Sequence, residues 1–149
     1  MKRIILILIS CMYFIAARAP EMPFLAIISP ETINRVFSID DCLKAIIEVE
    51  AGGGSRYNKN EPLAVGILQQ YPIFVRDVNR ILGRQVFSLD DRNNDNKAIQ
   101  MFWIYQNHYN PGMSFEKMCK MQCGGPSGMQ KTCTEHYYQL VRDKLFKCL

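Results

Sequence analysis

The stretch AIIEVEAGGG, residues 45–54, sets two carboxyl side chains, Glu48 and Glu50, just ahead of three consecutive glycines. A carboxyl group does general acid and base work when its surroundings bring its pKa toward the working pH, so the question is which of the two leaves water. On a helix, Ile39, Leu43, Ile46 and Glu50 fall along one stripe, and Asp41, Lys44 and Glu48 along another. The first stripe is apolar until Glu50, which predicts that this carboxyl is carried toward the core or a cleft wall. Glu48 shares its face with Lys44 and is expected in solvent. Desolvation and the negative end of the helix both disfavour a charged Glu50, so its pKa is expected to rise. A glutamic acid still protonated near neutral pH is a general acid.

Two other chemistries are suggested by residue type. Cys119-x3-Cys123-x9-Cys133-x2-His136 has ligand types and local spacings that could hold zinc, which would make the chain a metal-stapled binding module. Serine or cysteine nucleophiles have no partner residues in a recognisable arrangement. Gly52 to Gly54 follow a helical pattern instead of opening one, so they make no phosphate loop.

The chain of 149 residues is long enough for one domain with a sizeable core. It opens with Lys2 and Arg3, an apolar run from Ile4 to Ala17, and the small-x-small pattern Ala17-Arg18-Ala19. These are the marks of a secretory signal peptide over residues 1–19, the run being too short for a membrane span. Leu8-Ile9-Ser10-Cys11 resembles a lipobox, so membrane attachment is expected only through a lipid on Cys11. Removing Lys2, Arg3 and Arg18 from the 18 basic residues leaves 15 against 14 acidic ones, a net charge of +1. That balance gives no footprint for nucleic acid. Cys42, Cys119, Cys123, Cys133 and Cys148 remain after export, where disulfides form. The short Gly124 to Gly128 loop predicts that Cys119 or Cys123 pairs with Cys133.

The elements that must position these groups read as helices. Residues 20–37, with Pro20, Pro23 and Pro30, predict an irregular lead-in, and residues 38–149 the domain proper. Ser38 with Asp41 caps IDDCLKAIIEVE; Pro72 opens PIFVRDVNRIL, which Gly83 stops; Asn94 or Asp95 opens NKAIQMFWIYQNHY, which ends at Asn110-Pro111. Ser114 starts a shorter helix through about Met121, and Thr132 with Glu135 predicts a capping box for the last helix. Val65 to Leu68 is an ambiguous apolar run. The fold class expected is mainly α, a compact domain of about five helices. Phe102, Trp103, Tyr105 and Tyr109 are expected in its core rather than as a sugar platform.

After Glu50-Ala51-Gly52 the chain returns through a loop to Gly66-Ile67-Leu68-Gln69-x-x-Pro72, then Gln122-Cys123-Gly124-Gly125 with Pro126-x-Gly128, and finally Tyr137 with Val141. In order and spacing these elements resemble the lytic transglycosylase family of the goose-type lysozyme-like superfamily, over roughly residues 39–145. The family's elements are a glutamate at a helix end followed by Ser-Gly, a Gly-Leu-Met-Gln segment with a proline, Tyr-Asn-Ala-Gly, and a late tyrosine. The resemblance implies a lysozyme-like fold with a substrate cleft, Glu50 as the catalytic group, and Gly66, Gln69, Gln122, Cys123, Gly124 and Tyr137 as substrate-binding positions. Ala51 stands where the family has serine, and Gln122 and Cys123 where it has tyrosine and the asparagine that meets an N-acetylated sugar.

What the resemblance further implies is cleavage of the β-1,4 bond between N-acetylmuramic acid and N-acetylglucosamine in peptidoglycan strands, by an exported protein that needs no cofactor or metal. Glu50 would protonate the bridging oxygen and then take a proton from the muramyl C6 hydroxyl, closing a 1,6-anhydro ring. A lysozyme-type hydrolase of the same bond is the alternative, and it would need a second carboxyl about 5 to 9 Å away. Asp90, Asp91 and Asp95 carry no motif for that part. A catalytically weak glycan-binding module is a further alternative, suggested by Gln122 and Cys123.

Overall fold

Ser38 does what its spacing from Asp41 predicts: its hydroxyl accepts from the Asp41 backbone N–H at 3.1 Å, and the Asp41 carboxylate accepts from the Ser38 backbone N–H at 3.3 Å. The structure is a computed structural model that describes residues 29–52 and 63–147. The expected signal segment, the lead-in before Ser29, Gly53, Gly54 and Cys148 lie outside the described residues. Six α-helices are described: α1 (Pro30–Val36), α2 (Ile39–Ala51), α3 (Pro72–Leu82), α4 (Asp95–Tyr109), α5 (Phe115–Gly124) and α6 (Thr134–Lys147). Two 3-10 turns, Leu89–Asn93 and Gly128–Gln130, join them. The fold is mainly α, as expected. Among the described residues the only β pairing is an isolated antiparallel bridge between Val65 and Gln70, so the ambiguous run is a turn.

Three local readings are corrected. Part of the expected irregular lead-in is helix α1: Ser29 caps it by accepting from the Thr32 N–H at 3.3 Å, Pro30 fits its first turn, and fully buried Ile33 anchors it. Helix α5 runs past Met121 through Gly124, because the first backbone break is at Gly125, with φ 74°, whose N–H bonds back to Met121 O at 2.8 Å. Thr132 and Glu135 do not build the expected capping box. The Thr134 hydroxyl ties the start of α6 to Gly128 O (2.8 Å) and Lys131 O (2.7 Å), while the Glu135 carboxylate turns to Lys120 on α5 at 2.8 Å.

Two apolar clusters hold these helices. One gathers Leu43 and Ile46 of α2, Phe102 of α4, Met118 of α5 and Val141 and Leu145 of α6, with Leu68 from the turn. The other packs Val75 and Val78 of α3 against Met101 and Tyr105 of α4 and Met121 of α5. Each such side chain contributes about 1.5–3 kcal/mol on burial. Helix α6 packs on both α2 and α5, and α3 packs on α4. None of the described helices is long and apolar enough to cross a membrane.

Candidate active site around Glu50

Three of the packed helices bring one side chain each to a single point. Glu50, in the last turn of α2, is partly buried, and its Oε1 accepts from the Tyr137 hydroxyl of α6 at 2.6 Å and from Gln122 Nε2 of α5 at 3.1 Å. Gln122 Nε2 also donates to Leu68 O at 2.7 Å, tying the carboxyl to the turn ahead of α3. The helix stops beside the carboxyl because Gly52 takes a left-handed conformation, φ 45°. Glu48 is exposed with Lys44, and Lys44 pairs with Asp41 at 3.5 Å.

Burial pushes the Glu50 carboxyl above its ordinary pKa, and the hydrogen bonds from Tyr137 and Gln122 offset only part of that. Burial, with Glu50 beside it, holds Tyr137 well above the usual phenol range, so it remains a donor. Both donors fall on Oε1, so in the neutral acid the proton belongs on Oε2, which neither of them occupies.

A raised folded pKa means that the native chain holds a proton which the unfolded chain has released, so Glu50 makes folding less favourable as pH rises from the ordinary glutamate value through the folded one. Glu50→Gln is therefore expected to be no more stable than wild type below about pH 4 and progressively more stable above it. Thermal melts from pH 3 to 8 measure this; a variant that loses stability relative to wild type as pH rises would contradict the buried-acid assignment.

The turn 65–70 supplies the next candidates. Gln69 is buried, holds φ 44°, and donates its side-chain amide to Gly66 O at 2.8 Å. It also lines the cleft described below. Gly66 is placed differently from the expectation that it binds substrate: it is absent from the cleft lining, has φ 78°, and packs its Cα against Arg92 O, which a Cβ would approach to 1.9 Å. Its part is a close backbone approach. Tyr137 and the Glu50 carboxyl it meets are likewise absent from the cleft lining, and Gln122, bonded to that carboxyl, stands between it and the cleft.

An open cleft of about 480 Å³ runs from Gln69, Gln122, Cys123 and Gly124 along α3, past Ile73, Phe74, Arg76, Asp77 and Arg80. Sequence reasoning missed this wall. The signal was present in the 73, 76–77, 80 spacing of α3, opposite buried Val75, Val78 and Asn79. Ile73 is 64% exposed on it, and Tyr105 lines the cleft although it is otherwise a core side chain, as are Phe102 and Met101. Asp77 accepts from Arg80 at 2.6 Å and from the Tyr109 hydroxyl at 3.0 Å, so this carboxylate is already engaged. Asp91 sits instead in the first 3-10 turn, bound to Lys97 at 2.6 Å.

Cys123 lies at the cleft, and burial, with Cys133 and Glu50 as further causes, pushes its thiol up. The four described cysteines are free thiols. The zinc arrangement read from spacing does not form: among the described residues no three His, Cys, Asp or Glu side chains are placed to hold a metal ion, and Cys119 is fully buried in the core while Cys123, Cys133 and His136 are exposed. The same separation chooses between the two expected pairings. Gly124 and Thr134 touch, a Cβ on the glycine standing 2.7 Å from Thr134 Cγ2, and Lys131 Nζ donates to Gly124 O at 2.6 Å. In oxidised protein Cys123 is therefore expected to pair with Cys133, adding about 2–3 kcal/mol. Non-reducing peptide mapping checks it; a Cys119–Cys133 peptide, or free Cys123 and Cys133 after oxidation, would contradict it.

Comparison with family models, with curated proteins and with solved structures finds no match for this chain.

Proposed function

We propose that the chain is an exported peptidoglycan-cleaving enzyme, a lytic transglycosylase of lysozyme-like fold that cuts the β-1,4 bond between N-acetylmuramic acid and N-acetylglucosamine. The observation that carries the reading is the partly buried Glu50 carboxyl, raised in pKa and held through Oε1 by Tyr137 and by Gln122, which lines an open cleft. Glu50 Oε2 gives its proton to the bridging oxygen as the bond to C1 breaks. The substrate's own acetamido oxygen supports the developing positive charge, and Glu50, now a carboxylate, removes the C6 hydroxyl proton as that oxygen closes on C1. The product is a 1,6-anhydromuramyl end, and Glu50 is returned protonated.

This route needs one carboxyl. The acid found along the cleft wall, Asp77, is committed to Arg80 and Tyr109, which favours the single-carboxyl route over a two-carboxyl hydrolase. The exposed thiol of Cys123 in the cleft favours the second reading, a glycan-binding module that cuts weakly, since sulfur is a poor hydrogen-bond partner. Incubating purified peptidoglycan with the protein separates the two. Release of soluble muropeptides supports the enzyme, and sedimentation of the protein with intact sacculi and no release supports the binder.

A further inference from the structure

The wall of the cleft formed by α3 carries a charge that the fold does not use. Among the described residues, two arginines and one carboxylate line the cleft: Arg76, Arg80 and Asp77. Asp77 is engaged through both oxygens, Oδ1 accepting from Arg80 Nε at 2.8 Å and Nη2 at 2.6 Å, and Oδ2 from the Tyr109 hydroxyl at 3.0 Å. The guanidinium of Arg76 is exposed and makes no hydrogen bond, ion pair or ring contact with any described residue. Arg76 and Arg80 stand four residues apart on one helix face, a like-charge spacing that disfavours the helix slightly, and Asp77 offsets only one of them. The cleft therefore keeps one unpaired guanidinium, and three residues before it Ile73 sets an exposed apolar side chain on the same wall.

We propose that this wall is a carboxylate subsite: Arg76 takes a carboxylate of the peptide stem on the muramyl residue that Glu50 acts on, and Ile73 packs against the stem's alanyl methyl groups, so that peptide-bearing strands bind better than denuded ones. The assignment rests on reading the cleft as a glycan site. Neither Ile73 nor Arg76 belongs to the sequence elements that carry the family resemblance. A guanidinium presents a planar fork of donors that matches a carboxylate in two parallel hydrogen bonds. The stem combines small apolar side chains with free carboxylates, the two chemistries that Ile73 and Arg76 present. It leaves the sugar through the lactyl ether at C3, two ring carbons from the C1 at which the bond breaks. Arg76 lies about 6 Å along the helix axis from Pro72. An extended stem covers about 3.3–3.6 Å per residue, so its first two or three residues span that distance.

Calorimetric titration with two soluble sugars tests the subsite without turnover. One is N-acetylglucosaminyl-N-acetylmuramic acid bearing a tetrapeptide stem, the other the same disaccharide stripped of its stem by an amidase, and neither contains the bond that is cut. Wild type is expected to bind the stem-bearing sugar about tenfold more tightly, an advantage that shrinks as salt is raised. Arg76→Gln breaks no contact within the described residues; it should bring the ratio to about one and leave the affinity for the stripped sugar unchanged. Arg84→Gln removes another exposed arginine, absent from the cleft lining, and should keep the wild-type ratio. The stripped sugar carries a free lactyl carboxylate, so a variant that loses affinity for both sugars alike would assign Arg76 to the lactyl group and overturn the stem assignment. Equal binding of the two sugars by wild type, binding of neither, or a preference retained in Arg76→Gln would overturn it as well. An Arg76-dependent preference without muropeptide release from sacculi would sink the enzyme reading and leave the subsite as assigned; release without preference would do the reverse.

Discussion

Glu50→Gln is expected to lower glycan cleavage by about 10²- to 10⁴-fold, the usual worth of a positioned general acid and base, while the fold stays intact. Glutamine keeps the shape, and its amide oxygen can still accept from the Tyr137 hydroxyl and Gln122 Nε2, which now meet Glu50 at 2.6 and 3.1 Å. What it cannot do is give a proton to the bridging oxygen or take one from the C6 hydroxyl. Glu48→Gln, two residues away on the exposed face, should change activity less than twofold and stability by no more than a few tenths of a kcal/mol. Soluble muropeptide release, with circular dichroism as the control for folding, measures both variants. Full activity in the first, or a folded but inactive second, would remove Glu50 from the mechanism.

The largest stability effect is expected at Gly66. A Cβ there would stand 1.9 Å from Arg92 O and 3.0 Å from Arg92 C, and the residue holds φ 78°, which side chains rarely adopt. Both obstructing atoms are backbone, and the Arg92 side chain fixes them by donating to Leu63 O, Gln70 O and Leu89 O at 2.8–2.9 Å. Neither side can yield by a rotamer change, so Gly66→Ala should cost about 2–4 kcal/mol in urea unfolding. Gly83→Ala is the control: φ is 67° but nothing lies within 4 Å, so only the backbone cost of about 1 kcal/mol remains. Equal losses at the two positions would contradict the close-approach argument. Because Leu68 O and Gln69 belong to the same turn, Gly66→Ala should also loosen Gln122 and lower cleavage.

Much of this was legible in the sequence where local chemistry decides. The capping pair Ser38 and Asp41, Pro72 at a helix start, Gly83 as a stop and Asn94 as a cap act through neighbours within a few residues, so spacing reveals them. The stripe that carries Leu43 and Ile46 into the core brings Glu50 to a partly buried position and leaves Glu48 outside by the same geometry. What spacing could not give were groups that meet across the fold. Gln122 and Tyr137 reach Glu50 from 72 and 87 residues away, and no local pattern says that two donors share one carboxyl oxygen. Helix α1 was hidden because three prolines suggested a loop, although Pro30 at a first turn, capped by Ser29, is a helix signal. Thr132 does not cap because α6 begins at Thr134, one residue later than the spacing suggested, and the Glu135 carboxylate pairs with Lys120 on α5.

Gln122 also changes the meaning of a sequence departure. By residue type, glutamine and cysteine in place of tyrosine and asparagine read as a loss at the sugar-binding edge. With Nε2 tied to Leu68 O and Glu50, the glutamine instead holds the Glu50 carboxyl from the cleft edge. The cysteine is then freed for a bridge to Cys133 that would fasten the end of α5, which carries Gln122, to the segment entering α6, which carries Tyr137.

The most direct measurement of the central claim is mass spectrometry of the fragments that the protein releases from purified peptidoglycan, with Glu50→Gln run beside it. The account predicts muropeptides ending in 1,6-anhydro-N-acetylmuramic acid, lighter by one water than their reducing counterparts and resistant to borohydride reduction, and none above background from the variant. Fragments with reducing ends would make the protein a hydrolase and require a second carboxyl or an activated water; anhydro fragments undiminished in Glu50→Gln would contradict the account at its centre.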